Sequence, residues 1–570
     1  HTSLVQGMMA PMTMHWSRAE TPSPVMALGM PKGTPAALFE CGDGVWVHIM
    51  RPPDSPLMDK VLEELGDAAL QDDEPSPWTF GSDRTLAAFL RRPSQDWLEN
   101  FWANDIPAQP ALRPGEIFSD EQARINSYVV ELDDDEVGRI TMAGMPLTVN
   151  PPTRIRGSAP ALAAHTDEVL AEWKLTTEKR AEAKRADVRR TTSSTPQRWP
   201  LEGVHVLDLG NFLAGPYGPQ LLADLGADVV KLESTSGDQM RMTEWAFAGC
   251  QRGKRSVALD LKAPDARAAL GRLVEWADVV HHNVRMPAAR RLGIDDETLR
   301  EINPDIVYCH ASSYGPIGPR ADWPGFDQLF QSSCGWEVAG AGEGNPPMWH
   351  RFGFMDHLCA LSSLVATLLA LYHRDRTGHG QQVAGSLLGG GVLTNSETYV
   401  GPDGVLAPFA TLDARQVRVE PGYEIVDVRD GWIAIAARTD EQRGALHAAT
   451  GVEDLADAAD VLRSHTVSDA LRLLDRAGVP SEEVRRDQKL AFFDDPVNRE
   501  AGLVAQYPHA EWGVLEQPGS SWYFGDLETR FDHAPPVLGE HTVEILTEMG
   551  LAPEEIQALL DSGTAKAYAP

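Results

Sequence analysis

Five segments from the first 173 residues recur, in the same order, toward the end of this 570-residue chain. TSLVQGMM (2–9) resembles GSLLGGGV (385–392), and CGDGVWVHI (41–49) matches VRDGWIAIA (428–436), each an Asp-Gly turn feeding an apolar alternating strand. NDIPAQPA (104–111) matches AGVPSEEV (477–484). FSDEQARINSYV (118–129) matches FFDDPVNREAGLV (492–504) with one residue of slippage, and SAPALAAHTDEVLAEW (158–173) matches HAPPVLGEHTVEILTEM (533–549). A shared order over a shared span points to duplication. The second copy also holds residues 199–383, which have no counterpart in the first, so a similar block is expected upstream of His1. Between the copies, 174–199 (KLTTEKRAEAKRADVRRTTSSTPQRW) lacks apolar periodicity and reads as a linker with a helical start; its basic run reads as a solvated face.

The charge balance narrows the class of partner. A formal net charge of −33 argues against a large nucleic-acid or anionic-membrane surface, so an anionic ligand needs a local basic pocket. The longest apolar run, 358–372 (LCALSSLVATLLALY), is interrupted by Ser362, Ser363 and Thr367 and reads as a buried core helix rather than a membrane span. Nothing near His1 has the character of a signal peptide. Five cysteines, Cys41, Cys250, Cys309, Cys334 and Cys359, are scattered with no CxxC spacing, which suits reduced thiols in a cytoplasmic protein.

The extra block opens with VLDLGNFLAGPYGPQLLADLGADVVKLES (206–234): an apolar strand, a glycine-proline turn, a helix and a second strand. Helix 264–276, with Pro264 at its first position, leads to strand 278–282, and helix 295–302 leads to strand 305–311. Such alternation predicts an α/β fold with a doubly wound, mostly parallel sheet, whose ligands bind beyond the carboxyl ends of the strands. Glu233 stands about where a ribose-binding acid of a dinucleotide enzyme would. However, the glycine spacing from Gly210 is GxxxxGxxG, and Pro216 has no N–H to offer a pyrophosphate. NAD is therefore disfavoured.

Several motifs in series resemble the family III CoA transferases: PLEGVHVLDLGNFLAGPYGPQLLADLGADVVKLE (200–233), RGKRSVALDLKAPDARAAL (252–270), ADVVHHNVRMPAARRLGI (277–294), INPDIVYCHASSYGPIGP (302–319), RTGHGQQV (376–383) and GEHTVEILTEMGL (539–551). The resemblance covers 200–551, and 1–173 as the family's tail half. It implies a Rossmann-like large domain with a smaller α+β domain, interlocked between two copies, here fused in tandem or paired as a homodimer. The implied domains are 1–173 as the end of a first copy, 174–199 as linker, and 200–570 as a complete second copy. Within the second copy the CoA-binding part spans about 200–383, the smaller domain about 415–490, and 491–570 returns to the large domain. The implied ligand is coenzyme A or acyl-CoA as substrate, with a small carboxylic acid as co-substrate and no metal or redox cofactor. The CoA site would be bordered by Ala214, Gly215, Lys262, Asn283, Val284 and Arg291, with Arg255 as a further source of positive charge. Taken singly, Lys262 and Arg291 read as solvated surface residues. Val284 departs from the family's frequent asparagine-phenylalanine pair, and Ser234 stands where some members carry a basic residue.

The resemblance makes Asp356, in HRFGFMDHLCALSSLVATLLALYHR (350–374), the nucleophile. From the residues alone, an acid between Gly353-Phe354-Met355 and an apolar helix reads equally as a helix N-cap, and the helix N-terminus would favour an ionised carboxylate and offer N–H groups to an oxyanion. The related racemases carry a histidine in the segment matching WPGFDQLF (323–330). Here that position is Phe326, which cannot move a proton, while Asp327 adjoins it. Lyase chemistry of the same fold and a non-catalytic CoA-binding scaffold stay open as alternatives. His281, His282, His310, His350 and His357 form no ligand-like motif and read as structural. Met240, Met242, Trp245 and Phe247 read as core or as the lining of an apolar acyl pocket. Strands within 36–50 are expected to help roof the site at Asp356.

Overall fold

The computed structural model describes residues 1–28, 37–50, 83–183, 197–486 and 488–569. The alternating elements form one eight-stranded sheet. Its strand order is Ala565–Lys566, Lys254–Leu259, Asp228–Glu233, His205–Asp208, Val279–His282, Val307–Ser312, Gln382–Ser386 and Leu147–Thr148. The six inner strands run parallel and the two edge strands antiparallel. Counted along the chain, the inner strands lie in the order 3-2-1-4-5-6, so the winding reverses between His205–Asp208 and Val279–His282. Val206, Leu207, Val229, Val230, Val257, Val279 and Val280 are all buried, as strands covered on both faces require.

The segments before and after the linker are woven together. Leu147–Thr148 closes the large sheet against Ala384 and Gly385. Arg18–Ala19 pairs with Gly513–Pro518, and Gly138–Ala143 pairs with Tyr399–Val400. Ala10, Met14, Met26 and Leu147 share a core with Leu213, Tyr217 and Leu364.

Repeated sequence produces repeated local structure. Ser3 and Ser386 each cap a helix (Leu4–Met12 and Leu387–Leu393), and Asp120 and Asp495 cap Glu121–Ile125 and Pro496–Glu500 in the same way. A hairpin plus a third strand forms twice, as Leu38–Glu40, Trp46–Ile49 and Ala108–Pro110, and as Tyr423–Val428, Gly431–Ala436 and Ser481–Val484. The two hairpins differ in one respect that the residue-for-residue match misses. Cys41 pairs with Val45 across three turn residues, whereas Val428 pairs with Gly431 across two. Trp46 therefore corresponds to Trp432 and His48 to Ala434; a one-residue slip exchanges the two faces of a strand.

The run 358–372 lies inside helix Phe354–Thr377, the described helix long and apolar enough to cross a membrane. Its small residues Cys359, Ala360, Ser363, Ala366 and Ala370 are buried, and a Cβ on Gly385 would meet the backbone at Cys359 and Ser363 within 2.8 Å. It is the core helix that the serine and threonine interruptions predict. Helix Ala266–Trp276 begins two residues after Pro264, with Asp265 at the N-cap, so that proline precedes the helix instead of opening it. The linker's helical start continues helix Thr166–Ala183; residues 184–196 lie outside the described residues.

Because three sheets draw strands from both sides of the linker, a protease site engineered into 184–196 and cut should leave the two fragments in one particle. Size-exclusion chromatography and native mass spectrometry would check this; separation without denaturant would contradict it.

Candidate active site

The turn after strand His205–Asp208 is closed on itself by buried charges. Asp208 accepts from Gly210 N (2.8 Å), and Lys254 Nζ donates to Asp208 (2.8 Å), to the Pro216 carbonyl (2.7 Å) and to Gln251 and Cys250. Lys231 Nζ donates to the Gly210 carbonyl (2.7 Å) and Asp238 (3.2 Å). Both lysines are fully buried, and their carboxylate partners make that tolerable. Across the winding reversal, Asn283 accepts from Asn211 N and donates to Asn211 O, both at 2.8 Å. Gly215 lies so close that a Cβ there would sit 2.6 Å from the Asn283 side chain. Phe212 takes the left-handed conformation (φ 60°), which a bulky residue adopts only under constraint from its surroundings.

This turn leaves a dinucleotide no purchase. Glu233 is occupied by Arg241 (2.6 and 2.8 Å), Ser256 and the Asp238 backbone. Helix Tyr217–Asp224 begins behind Pro216 and is buried along its whole length. Gly218 serves packing, since a Cβ would meet Ser363 Oγ at 2.9 Å.

Asp356 stands where this turn meets the long helix. Gly353 occupies the N-cap of Phe354–Thr377 in the left-handed conformation (φ 52°), with room for a Cβ denied by Leu213 and Met14. Asp356 is thus the third helical residue and not the cap. The capping carboxylate comes from another helix, Asp327–Ser333. Asp327 Oδ1 accepts from Met355 N (2.7 Å) and Asp356 N (3.4 Å), while Gln331 donates to Oδ2 (2.6 Å). These N–H groups are consequently taken and do not form the oxyanion site that the helix start suggested. Burial pushes the Asp356 carboxyl well above the usual carboxylate range, and the neighbouring Asp327 charge adds to this. Asp327 is raised to about 6, chiefly by burial, against its hydrogen bonds. The helix dipole is therefore outweighed. Among the described residues nothing donates to the Asp356 side-chain oxygens, and the residue keeps partial exposure. Phe326 packs edge-to-face on Phe212 (5.7 Å), joining this corner to the turn.

The other expected residues fall into two groups. Ala214 is buried with Met355 and Cys359, so only its backbone is available to a ligand. Val284 is partly buried, its carbonyl meeting His310 Nε2 at 3.1 Å. Lys262, beyond strand Lys254–Leu259, and Arg291, in the last turn of helix Met286–Leu292, are exposed and make no ion pair among the described residues. Arg255 is spoken for by Asp228, Glu544 and Glu548, each within 2.9 Å, which removes it as a source of free positive charge. Met242 is exposed while Trp245 and Phe247 are core, so the stretch does not present one continuous lining. His281 meets Ser363, His282 meets Tyr308 and His357 meets the Gly353 carbonyl; burial lowers His281, His310 and His357 to about 4.

The family model for CoA-transferase family III matches residues 1–166 and 201–542. The chain belongs to CoA-transferase family III. Among similar proteins, a succinate–glutarate CoA-transferase of Agrobacterium fabrum is 29% identical over 388 residues, covering 61% of this chain and 96% of that protein. A succinyl-CoA:mesaconate CoA-transferase of Haloarcula marismortui is 32% identical over 391 residues, covering 62% of this chain and 96% of that protein. The crystal structure of a CAIB/BAIF family protein from Brucella suis superposes with a TM-score of 0.52 at 29% identity, covering 62% of this chain and 100% of that one. These likenesses bear out the expected fold class.

Sequence reasoning passed over Lys231 and Lys254 as braces of the turn, although a lysine inside or opening an apolar strand is a signal of a buried pair. It noted Asp327 without seeing its capping role, which no spacing encodes because 28 residues separate it from Met355. Asp327→Asn keeps an oxygen for the cap but removes a like charge, so the acid limb of the pH–rate profile should move to lower pH than in wild type. The sign for stability follows from the same shift. Asp356 has a raised pKa in the fold, so its ionisation opposes folding as pH rises from the ordinary carboxylate range through that raised value. Asp356→Asn should therefore melt higher than wild type at pH 8, and the difference should vanish below about pH 4.

Proposed function

We propose that this chain moves CoA between an acyl-CoA donor and a carboxylic acid acceptor through an aspartyl-CoA thioester on Asp356. The observation that carries this reading is a partly exposed carboxylate with no hydrogen-bond donor on it among the described residues, set where the switch-point turn meets the long helix. An Asp356 oxygen attacks the donor thioester carbonyl; the C–S bond breaks, leaving a mixed anhydride and the CoA thiolate. The thiolate attacks the aspartyl carbonyl and releases the donor acid. An acceptor carboxylate then attacks the aspartyl thioester, and the displaced thiolate takes the acceptor's acyl carbon, restoring the Asp356 carboxylate. No net proton moves, so no histidine is required, consistent with histidines committed to carbonyls and hydroxyls.

Lys262, beyond strand Lys254–Leu259, and Arg291, in the last turn of helix Met286–Leu292, both exposed, are the cations proposed for the CoA phosphates. Ala214, Gly215, Asn283 and Val284 supply the backbone and frame of the crevice. Racemisation is disfavoured because Phe326 has no proton to exchange and both Asp327 oxygens are engaged. We further propose a tandem pair of family units, the first represented by 1–173, working in the cytoplasm with its five cysteines reduced; all five are free and buried. The names of the similar proteins make succinyl-CoA with glutarate or mesaconate the first substrates to try.

Incubation with succinyl-CoA and hydroxylamine should place a hydroxamate on the Asp356 peptide, detected by mass spectrometry and absent from Asp356→Ala. CoA binding without any adduct across a panel of donors would overturn the covalent reading.

A further inference from the structure

We propose that His48, carried on the first segment's hairpin, is a positioning residue for Asp356 and acts through Glu337. The proposal rests on Asp356 being the nucleophile. His48 Nδ1 donates to Glu337 Oε1 at 2.7 Å, with His48 1% exposed and Glu337 fully buried. The second Glu337 oxygen has no partner among the described residues, so the hydrogen bond from His48 is the one this carboxylate receives there. Among the described residues, Asp327 and His350 are further titratable groups that face Glu337.

From the Glu337 backbone the contacts lead to the loop that precedes the nucleophile's helix. The Glu337 carbonyl accepts from Met348 N (3.0 Å), and the Trp349 ring stands edge-on to His48 (6.1 Å). Gln331 holds the next residue, donating to His350 O (2.7 Å) and accepting from His350 N (3.1 Å), while also donating to Asp327. Met348 and His350 are thus tethered on either side of Trp349, and this loop delivers Gly353, the cap on which the placement of Asp356 depends.

The repeated hairpin shows that folding alone does not call for this histidine. His48 lies opposite Gln109, which reaches Tyr314 Oη (2.7 Å); the corresponding pair in the second hairpin is Ala434 opposite Glu482, with Glu482 exposed. Both hairpins form, yet of the two it is the first whose matched strand positions carry polar groups paired with Glu337 and Tyr314.

The test is single-turnover hydroxamate formation on Asp356 in the full chain, with succinyl-CoA varied. His48→Ala should slow adduct formation at saturating donor by ten- to a hundredfold, leaving the half-saturating concentration within about twofold. His48→Asn, whose amide can donate where Nδ1 does, should recover most of the rate. Because a lone buried Glu337 can unfold the chain, the pair His48→Leu with Glu337→Met, which removes both polar groups, serves as a second variant and should also be slow. A folded double variant with the wild-type rate would overturn the proposal. So would a His48→Ala defect in which rate, half-saturation and melting fall together without rescue by asparagine. Failure of the wild type itself to form an adduct would instead remove the nucleophile reading on which this rests.

Discussion

The start of helix Phe354–Thr377 is held by a carboxylate that belongs to a different helix. A glycine N-cap has no side chain to satisfy the free N–H groups behind it, and Asp327 supplies the missing acceptor from across the site. This one contact sets the position of the proposed nucleophile, occupies the N–H groups that an oxyanion would otherwise use, and places a second negative charge beside the first. Burial in this poorly solvated corner raises both carboxyls, and the Asp327 charge raises Asp356 further. The cost is borne by packing elsewhere, chiefly the fully buried sheet on which the helix lies.

The switch-point turn obeys a related constraint. Its carbonyls at Gly210 and Pro216 face inward, and a backbone turned this way needs buried donors. Lys231, on the neighbouring strand, and Lys254, on the strand beyond it, provide them, and Asp208 and Asp238 balance their charge. The glycines that look like a weakened phosphate-binding signature are spent on close approach: Gly215 to Asn283, and Gly218 to the long helix. Lys262 and Arg291, exposed and without an ion pair among the described residues, lie outside this buried network.

Much of the fold was legible because it is local. Strand–helix alternation, apolar runs buried on both faces, and serine or aspartate caps recurring at matched positions all act over a few residues. The matched segments were legible for the same reason, since each match spans a short stretch of one to three neighbouring elements. The hairpin register was not: CGDGVWVHI and VRDGWIAIA align residue for residue by eye, yet the extra turn residue moves His48 onto the face that Ala434 occupies. Turn length, a property of backbone closure, decided which side chains point at the site.

The sequence by itself pointed to the α/β class with a doubly wound, mostly parallel sheet, to the matched segments, to the mismatch with a dinucleotide turn and, through resemblance, to Asp356 as the acid to examine. Only the tertiary structure decided what Asp356 is near. The meeting of Asp327 with the helix start, of Lys254 with Pro216, and of His48 with Glu337 joins residues 28, 38 and 289 positions apart. Such pairs leave no periodic trace in the chain. They arise because a carboxylate or an amine taken out of water must find its partner wherever packing brings one.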